Sequence, residues 1–160
     1  MMAADTMKTL RQAVFAMMLA LIWPGEAAAV QCKLTVSPID FGIYMPMTPA
    51  PVDIIGQISV RCQAQPGTFA VLIGAGLSGD QMSRHMTAGG ASLLYYNLYR
   101  DAARMEIWGE VSPPTFTVTG DRQQKDRPTY FSLPVYGRIF ANQAPEPGVY
   151  NDNLLVTVLF

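Results

Sequence analysis

The sequence closes with "GVYNDNLLVTVLF" (residues 148–160), in which Leu154, Val156, Val158 and Phe160 occupy alternate positions. A period of two among β-branched and aromatic residues predicts a strand that turns one face toward a core. Chain ends are usually polar and frayed, whereas this segment is apolar and is followed by no further strand. The remaining sequence must therefore be searched for a segment that could cover the apolar face of this strand.

Short strand-like runs fill the rest of the sequence after residue 30. Segments rich in Gly and Pro, such as "ANQAPEPG" (residues 141–148), separate these runs, and no stretch shows a sustained 3.6-residue period. This spacing predicts an all-β sandwich of two antiparallel sheets. Pro134 interrupts one run and predicts that its strand is an edge strand or carries a bulge. The predicted strands cover residues 32–36, 56–62, 68–74, 92–99, 115–120, 129–140 and 149–160.

The first 29 residues have the features of a secretory signal peptide. Lys8 and Arg11 precede the apolar run "AVFAMMLALIW" (residues 13–23), and the small residues of an A-x-A cleavage site end at Ala29. The apolar run is shorter than the roughly 20 residues that cross a bilayer. We predict cleavage after Ala29 and a single mature domain over residues 30–160. The alternative is a buried or anchoring N-terminal helix.

Cys32 and Cys62 are the two cysteines of the chain. In an exported protein an even number of cysteines indicates a disulfide bond. Cys32 shares a strand face with Leu34, and Cys62 shares one with Val60, so both cysteines point into the same predicted interior. We therefore predict a Cys32–Cys62 bond, the alternative being two unrelated buried thiols.

Charge and motifs favour a protein that is not an enzyme. The chain has 11 basic and 12 acidic residues without a basic patch, so we predict no nucleic-acid partner. "GAGLSG" (residues 74–79) matches the dinucleotide-binding pattern, but no helical pattern follows it, and we interpret its glycines as turn residues. His85 is the single histidine and lies in the polar stretch "DQMSRHMTAGG" (residues 80–90), which we interpret as a solvated loop. We predict no catalytic residue, no metal site and no cofactor.

The pair Asp101 and Arg104 and the side chain of Trp108 each allow a structural and a functional interpretation. Asp101 and Arg104 are three residues apart and favour a tight turn over an active-site pair. Trp108 could be a sugar-stacking platform, but a partly buried aromatic side chain at a strand end is the more frequent situation.

The segment "YNLYRDAARMEIWG" (residues 96–109) resembles the signature of spore coat protein U domains, which occur in the pilins of archaic chaperone–usher pili. "DFGIY" (residues 40–44), "SRHM" (residues 83–86) and "VYGRI" (residues 135–139) match the family as well, together with the cysteine pair and the closing segment. The signature positions are Tyr96, Asn97, Leu98, Tyr99, Asp101, Arg104, Trp108 and Gly109.

The resemblance implies an immunoglobulin-like fold that lacks its last strand, with the final strand, residues 149–160, lining an open hydrophobic groove. In such pilins a periplasmic chaperone fills the groove with one of its own strands. At an outer-membrane usher, the N-terminal extension of the next pilus subunit replaces that strand. The groove and chaperone-binding residues implied here are Gly148, Tyr150, Leu154, Val156, Val158 and Phe160, although the aromatic residue of those pilins is usually penultimate rather than last.

The resemblance therefore implies a structural subunit of a surface pilus that serves attachment or biofilm formation. Cleavage after Ala29 leaves Val30 and Gln31 ahead of the first cysteine, which is too short for a donor strand, so we expect a position at or near the tip. The alternatives are a secreted glycan-binding module that uses Trp108 and the tyrosines, and a component of a spore or cyst coat.

Overall fold

The computed structural model describes residues 31–63, 67–110, 115–122 and 128–159. The predicted signal peptide and the terminal Phe160 lie outside these ranges. The described part of the chain forms eight strands and one turn of 3-10 helix, Gly76–Ser78, and none of its helices is long and apolar enough to cross a membrane. The strands are β1 (Gln31–Val36), β2 (Val52–Gln63), β3 (Gly67–Ile73), β4 (His85–Thr87), β5 (Leu93–Tyr99), β6 (Val118–Arg122), β7 (Thr129–Ile139) and β8 (Val156–Leu159).

The strands form two antiparallel sheets. One has five strands in the order β1-β2-β7-β5-β4, and the other has three in the order β6-β3-β8. Although β2 and β3 are neighbours along the sequence, they belong to different sheets, so the chain crosses the sandwich between them. The all-β fold predicted from the short strands is confirmed.

Alternate residues of both sheets meet in one apolar core. Each large aliphatic side chain buried here contributes about 1.5–3 kcal/mol relative to an exposed one. Trp108 lies at the centre without exposure and donates its Nε1–H to the Val71 carbonyl oxygen at 2.8 Å. The core includes Ile58, Val60, Phe69, Val71, Ile73, Leu94, Tyr96, Leu98, Trp108, Val135 and Ile139.

The last strand is shorter than predicted. β8 covers Val156–Leu159, whereas the pattern predicted a strand over residues 149–160, and only a single bridge between Asn151 and Thr87 pairs the preceding segment. The cause is Asp152, whose carboxylate accepts the backbone N–H of Asn153 at 2.7 Å. Side-chain hydrogen bonds of this kind compete with the regular ladder of a sheet. The predicted strand at residues 115–120 also differs from the structure, since it begins only at Val118, in β6.

The prediction that Pro134 marks an edge strand is wrong for β7 as a whole, and no bulge is present in the described register, but Pro134 does lie at a local edge of the sheet. β7 lies between β2 and β5, and its register with β2 runs without interruption through the pair Gln57–Pro134. Proline is tolerated because β5 ends too early to reach it: the last pair of β5 with β7 is Tyr99–Tyr136. Pro134 therefore lies in the half of β7 that has a strand partner on one side among the described residues.

The interpretation of the "DQMSRHMTAGG" stretch as a solvated loop is also wrong. His85 begins β4, which pairs with β5, and its ring contacts that of Tyr95 edge-on, with 5.8 Å between ring centroids. Arg84 is 0% exposed and Met86 is buried as well. Arg84 and Met86, two residues apart, both point inward. The sequence pattern did not predict this because Arg84 is charged and was therefore interpreted as a surface residue.

The predicted disulfide bond is present. Cys32 of β1 lies directly opposite Cys62 of β2, and their sulfur atoms are bonded. The bond fixes the edge strand β1 to β2, its neighbour in the five-stranded sheet.

We predict that a Cys32→Ala/Cys62→Ala double variant loses about 3.5–4 kcal/mol of unfolding free energy, because the bond closes a loop of 30 residues and so restricts the unfolded chain. Urea unfolding of the oxidised proteins measures the loss. Dithiothreitol should lower the midpoint of the parent protein and leave that of the double variant unchanged. Equal midpoints for the oxidised parent and the variant would contradict the prediction.

Candidate functional site

An open groove runs between the segment that follows β1 and the C-terminal segment. Residues 36–46 form one wall, and residues 145–156 form the other. The groove consists of two adjoining cavities of 260 and 530 Å³, which we call together the open groove. Both cavities are lined by Ile39, Phe41, Met86 and Tyr150.

Both sheets contribute to the floor of the open groove, and this floor is apolar. The five-stranded sheet supplies most of it, and β3 supplies Ile73 from the other sheet. The polar lining residues lie on the two walls rather than on the floor: Ser37 and Asp40 on one wall, and Glu146, Asn151 and Asp152 on the other. The floor therefore suits an occupant that inserts aliphatic or aromatic side chains. Its residues are Ile58, Ile73, Met86, Leu94, Tyr96, Leu98, Val135 and Ile139.

β8 forms the end of the C-terminal wall, and among the described strands it pairs with β3 alone. Its second edge therefore presents backbone N–H and C=O groups without a strand partner. Leu154, Val156 and Val158 pack against the core, whereas Leu155 is 69% and Leu159 is 53% exposed. The predicted alternation is confirmed for the described residues, and Leu154 and Val156 line the open groove.

The opposite wall is held by side chains that enter two glycine positions of the five-stranded sheet. A Cβ atom on Gly56 would lie 2.6 Å from Ile39 Cγ1, and one on Gly137 would lie 2.9 Å from Phe41 Cζ. A side chain at either glycine would therefore displace Ile39 or Phe41 from its present position. The Phe41 ring also meets the Tyr96 ring edge-on at a centroid separation of 5.8 Å. The wall is therefore packed in place although residues 37–46 form no strand.

Asp152 anchors the C-terminal wall to the 3-10 turn and to β5 of the five-stranded sheet. Its carboxylate accepts hydrogen bonds from the Leu77 N–H at 2.8 Å and from the Tyr96 hydroxyl at 2.7 Å. Burial, together with the hydrogen bond to Asp152, raises the pKa of Tyr96, so the phenol remains a proton donor. Gly76 has a φ of +68°, and a Cβ atom there would overlap the carboxylate. The 3-10 turn and the wall therefore fit together only with glycine at this position.

The remaining predicted groove residues lie where the wall begins. The Tyr150 hydroxyl donates a hydrogen bond to the Glu146 carbonyl oxygen at 2.8 Å and contacts Ser92 Oγ at 2.9 Å. A Cβ atom on Gly148 would lie 2.9 Å from the Cβ atom of Ala88, which keeps this position small. Gly148 and Tyr150 line the open groove. Val158 packs against the core beyond the groove lining, and Phe160 is not described.

A buried arginine that sequence reasoning missed holds the end of β3 in place. The Arg84 guanidinium donates to the carbonyl oxygens of Ile73 at 3.0 Å and Gly74 at 2.8 Å, and to that of Trp108 at 2.8 Å. Its Nη1 atom donates to Asn97 Oδ1 at 2.6 Å. Burial lowers the pKa of Arg84. No described carboxylate forms an ion pair with it, so these oxygens together stabilise the charge.

Asn97 completes this hydrogen-bond network. Its Oδ1 atom also accepts the Leu98 N–H at 2.9 Å, and its Nδ2 atom donates to the carbonyl oxygens of Gln81 at 3.2 Å and Met82 at 3.1 Å. Asn97 and Arg84 both lie in segments that resemble the family, which is the signal that could have identified them.

The other signature residues build a turn and the core. Arg104 N–H donates to the Asp101 carbonyl oxygen at 3.1 Å, and the Asp101 carboxylate accepts the Glu106 N–H at 2.8 Å, so the predicted turn is present. The Arg104 side chain pairs instead with Asp53 at 3.3 Å. Trp108 is fully rather than partly buried, so its ring cannot stack on a sugar. Among the described residues, no cluster of His, Cys, Asp and Glu could hold a metal ion.

Fold and groove together define an all-β, immunoglobulin-like sandwich in which β8, the last described strand, has one strand partner beside the open groove. The sequence model of the Spore Coat Protein U domain matches residues 20–157, and the chain belongs to this family. Protein U of Myxococcus xanthus is 26% identical over 152 residues, which cover 85% of this chain and 79% of that protein.

A solved structure supports the same fold. It is a chain of the CsuC–CsuE chaperone–tip adhesion subunit pre-assembly complex, from the archaic chaperone-usher Csu pili of Acinetobacter baumannii. The TM-score is 0.57 at 18% identity, and the match covers 82% of this chain. The chain spans 40% of the length of that structure, so the likeness concerns the fold.

We predict that Arg84→Lys lowers the unfolding free energy by about 3–5 kcal/mol, because lysine leaves several buried oxygen atoms without donors. Urea unfolding measures the change. Arg61→Lys is the matched control, since Arg61 is exposed on β2, and it should leave the midpoint unchanged. Similar losses in the two variants would show that the hydrogen bonds of Arg84 are not what stabilises this region.

Proposed function

We propose that this chain is a structural subunit of a surface pilus, exported through the periplasm and assembled by donor-strand complementation. The observation that carries the proposal is the open groove beside the second edge of β8, which pairs with β3 alone among the described strands. An added strand would hydrogen-bond to this edge through its main chain and insert alternate side chains into the cavities, which is an established mode of peptide recognition.

The free energy gained when a donor strand is inserted explains why the subunit would need a partner to be stable. Four or five donor side chains, each buried at about 1.5–3 kcal/mol, would contribute roughly 6–15 kcal/mol. This sum rivals the whole stability of a typical domain, about 5–15 kcal/mol. An exposed apolar edge is also a site of aggregation. The isolated subunit should therefore be marginally stable, and the subunit with its groove filled should be very stable.

The proposed partners are a periplasmic chaperone, an outer-membrane usher and other pilus subunits. The chaperone would fill the open groove until the usher exchanges its strand for that of a neighbouring subunit. The similar solved structure supports the first partner, because it is a complex of a chaperone with a tip adhesion subunit before assembly. Attachment or biofilm formation would then follow from display of the pilus at the cell surface.

We place the subunit at or near the tip of the pilus. A donor strand needs about ten residues at roughly 3.3 Å each, whereas the predicted cleavage after Ala29 leaves Val30 and Gln31 ahead of Cys32. The bond between Cys32 and Cys62 supports this position, because it holds β1 in its own sheet and so keeps β1 from serving a neighbour.

We predict that a Val156→Asp/Val158→Asp variant is not captured by the chaperone, because each substitution places an unpaired charge on the apolar face of β8, which costs several kcal/mol. Co-expression with the periplasmic chaperone of the same genome, followed by affinity purification of the chaperone, measures capture. The matched control, Leu155→Asp/Leu159→Asp, changes the exposed face of the same segment and should be captured normally. Loss of capture in both variants, or in neither, would contradict a groove-facing role.

We also predict that the mature protein accepts one donor strand and then stops. Mixed with its chaperone and a donor-bearing sister subunit, it should form a one-to-one complex that survives electrophoresis in detergent without heating. Alone, it should form no polymer, because residues 30–31 supply at most one apolar side chain to a neighbouring groove. A ladder of homopolymers from the purified protein would overturn the tip position and the predicted cleavage site, while leaving the groove itself in place.

A further inference from the structure

A second surface feature lies on the outer face of the five-stranded sheet, away from the open groove. The register places Lys33 of β1 directly opposite Arg61 of β2, and Arg61 directly opposite Tyr130 of β7. Residues directly opposite each other share a face of the sheet. The neighbouring pair, Cys32 and Cys62, points inward, so Lys33, Arg61 and Tyr130 form a row on the outside.

The two cations of this row are not paired with acids in the described part of the chain. Its ion pairs involve Arg100, Arg104 and Arg138, and not Lys33 or Arg61. Like charges directly opposite each other on adjacent strands destabilise a sheet. An anion between the two cations would remove this repulsion, and an arginine can hold a carboxylate through two parallel hydrogen bonds.

The surroundings of the two cations suit a sugar better than a simple ion. Tyr130 is 67% exposed, and the Arg61 guanidinium carbon lies 5.2 Å from its ring centroid, over one face of the ring. An exposed aromatic ring offers an apolar plane with a polar rim. The next row across the same strands consists of Thr35, Ser59 and Ser132. These hydroxyl groups and the cationic row line one shallow cavity of 370 Å³.

We propose that this surface binds an acidic saccharide, with the carboxylate of a hexuronic acid between Lys33 and Arg61 and a sugar ring against Tyr130. The hydroxyl groups of Thr35, Ser59 and Ser132 would then hydrogen-bond to the ring hydroxyls. Because the site uses the outer face of β1, β2 and β7, it remains open when a strand occupies the open groove. The inference goes beyond the proposed function and does not depend on it.

The test measures binding of trigalacturonic acid by calorimetry, using the full mature chain together with any chaperone that it retains. Uncharged galactotriose, inorganic sulfate and a short DNA oligonucleotide are the comparison probes. Trigalacturonic acid should bind at least about tenfold more tightly than each of them, and its affinity should fall as salt is added, because exposed charges are screened.

Three variants locate the site. Lys33→Gln/Arg61→Gln should weaken trigalacturonic acid binding at least about tenfold. Tyr130→Ala should weaken it while leaving weak sulfate binding unchanged, since only the sugar ring uses the aromatic plane. Arg138→Gln is the matched control, because Arg138 lies on the same face but pairs with Asp53 at 2.7 Å, and it should retain binding. Urea-unfolding midpoints equal to that of the parent protein would show that all three variants are folded.

Three outcomes would overturn the proposal. Equal binding of galactotriose would show that the cations take no part, and equal binding of sulfate would show an ion site without saccharide recognition. DNA binding as tight as that of the saccharide would show a general polyanion surface. A failure of the tests of chaperone capture would leave this result unaffected, since those tests concern β8 and not the outer face of β1 and β2.

Discussion

The hydrogen bonds of the Arg84 guanidinium fix the geometry on which the open groove depends. They hold the carbonyl oxygens of Ile73 and Gly74 at the end of β3, and they reach Asn97 in the other sheet. β8 rests on β3 alone among the described strands, and the Gly74 N–H donates to the Leu155 carbonyl oxygen at 2.8 Å. A buried cation is costly unless its donors are satisfied, so the network favours one arrangement of the two sheets at this end of the groove.

Different contacts hold the two walls of the open groove in place. Neither set of contacts requires a bound strand. Ile39 and Phe41 are seated over Gly56 and Gly137, while the C-terminal wall is tied down by the carboxylate of Asp152. A site that is formed in advance loses less conformational entropy on binding than one that must be ordered by its ligand. An incoming strand therefore meets cavities that already have their shape, and the energy of its side-chain burial is available for affinity.

The sequence was sufficient to predict those features that follow from strand alternation. The inward face of the closing segment, the opposed cysteines and the two antiparallel sheets all depend on which side of a strand a residue occupies. Arg84 and His85 were misplaced because a three-residue strand is too short to show alternation, and because a buried charge looks like a surface residue until its acceptors are known. β8 was predicted too long because the backbone hydrogen bonds of Asp152 depend on a neighbouring turn, which a periodic pattern does not contain.

Because side chains alternate between the two faces of a strand, the residues that line the proposed assembly groove differ from those that form the proposed saccharide site on the outer face. Cys32 points inward and bonds to Cys62, while the next residue, Lys33, points outward toward Arg61 on the opposite face. Substitutions at outward positions of β1, β2 and β7 can therefore change what this face binds without altering the cavities that line the groove. Inward positions have no such freedom, because each one contributes to a core that another chain's strand is proposed to complete. The proposed subunit can therefore vary in surface chemistry while the groove that is proposed to govern its assembly stays the same.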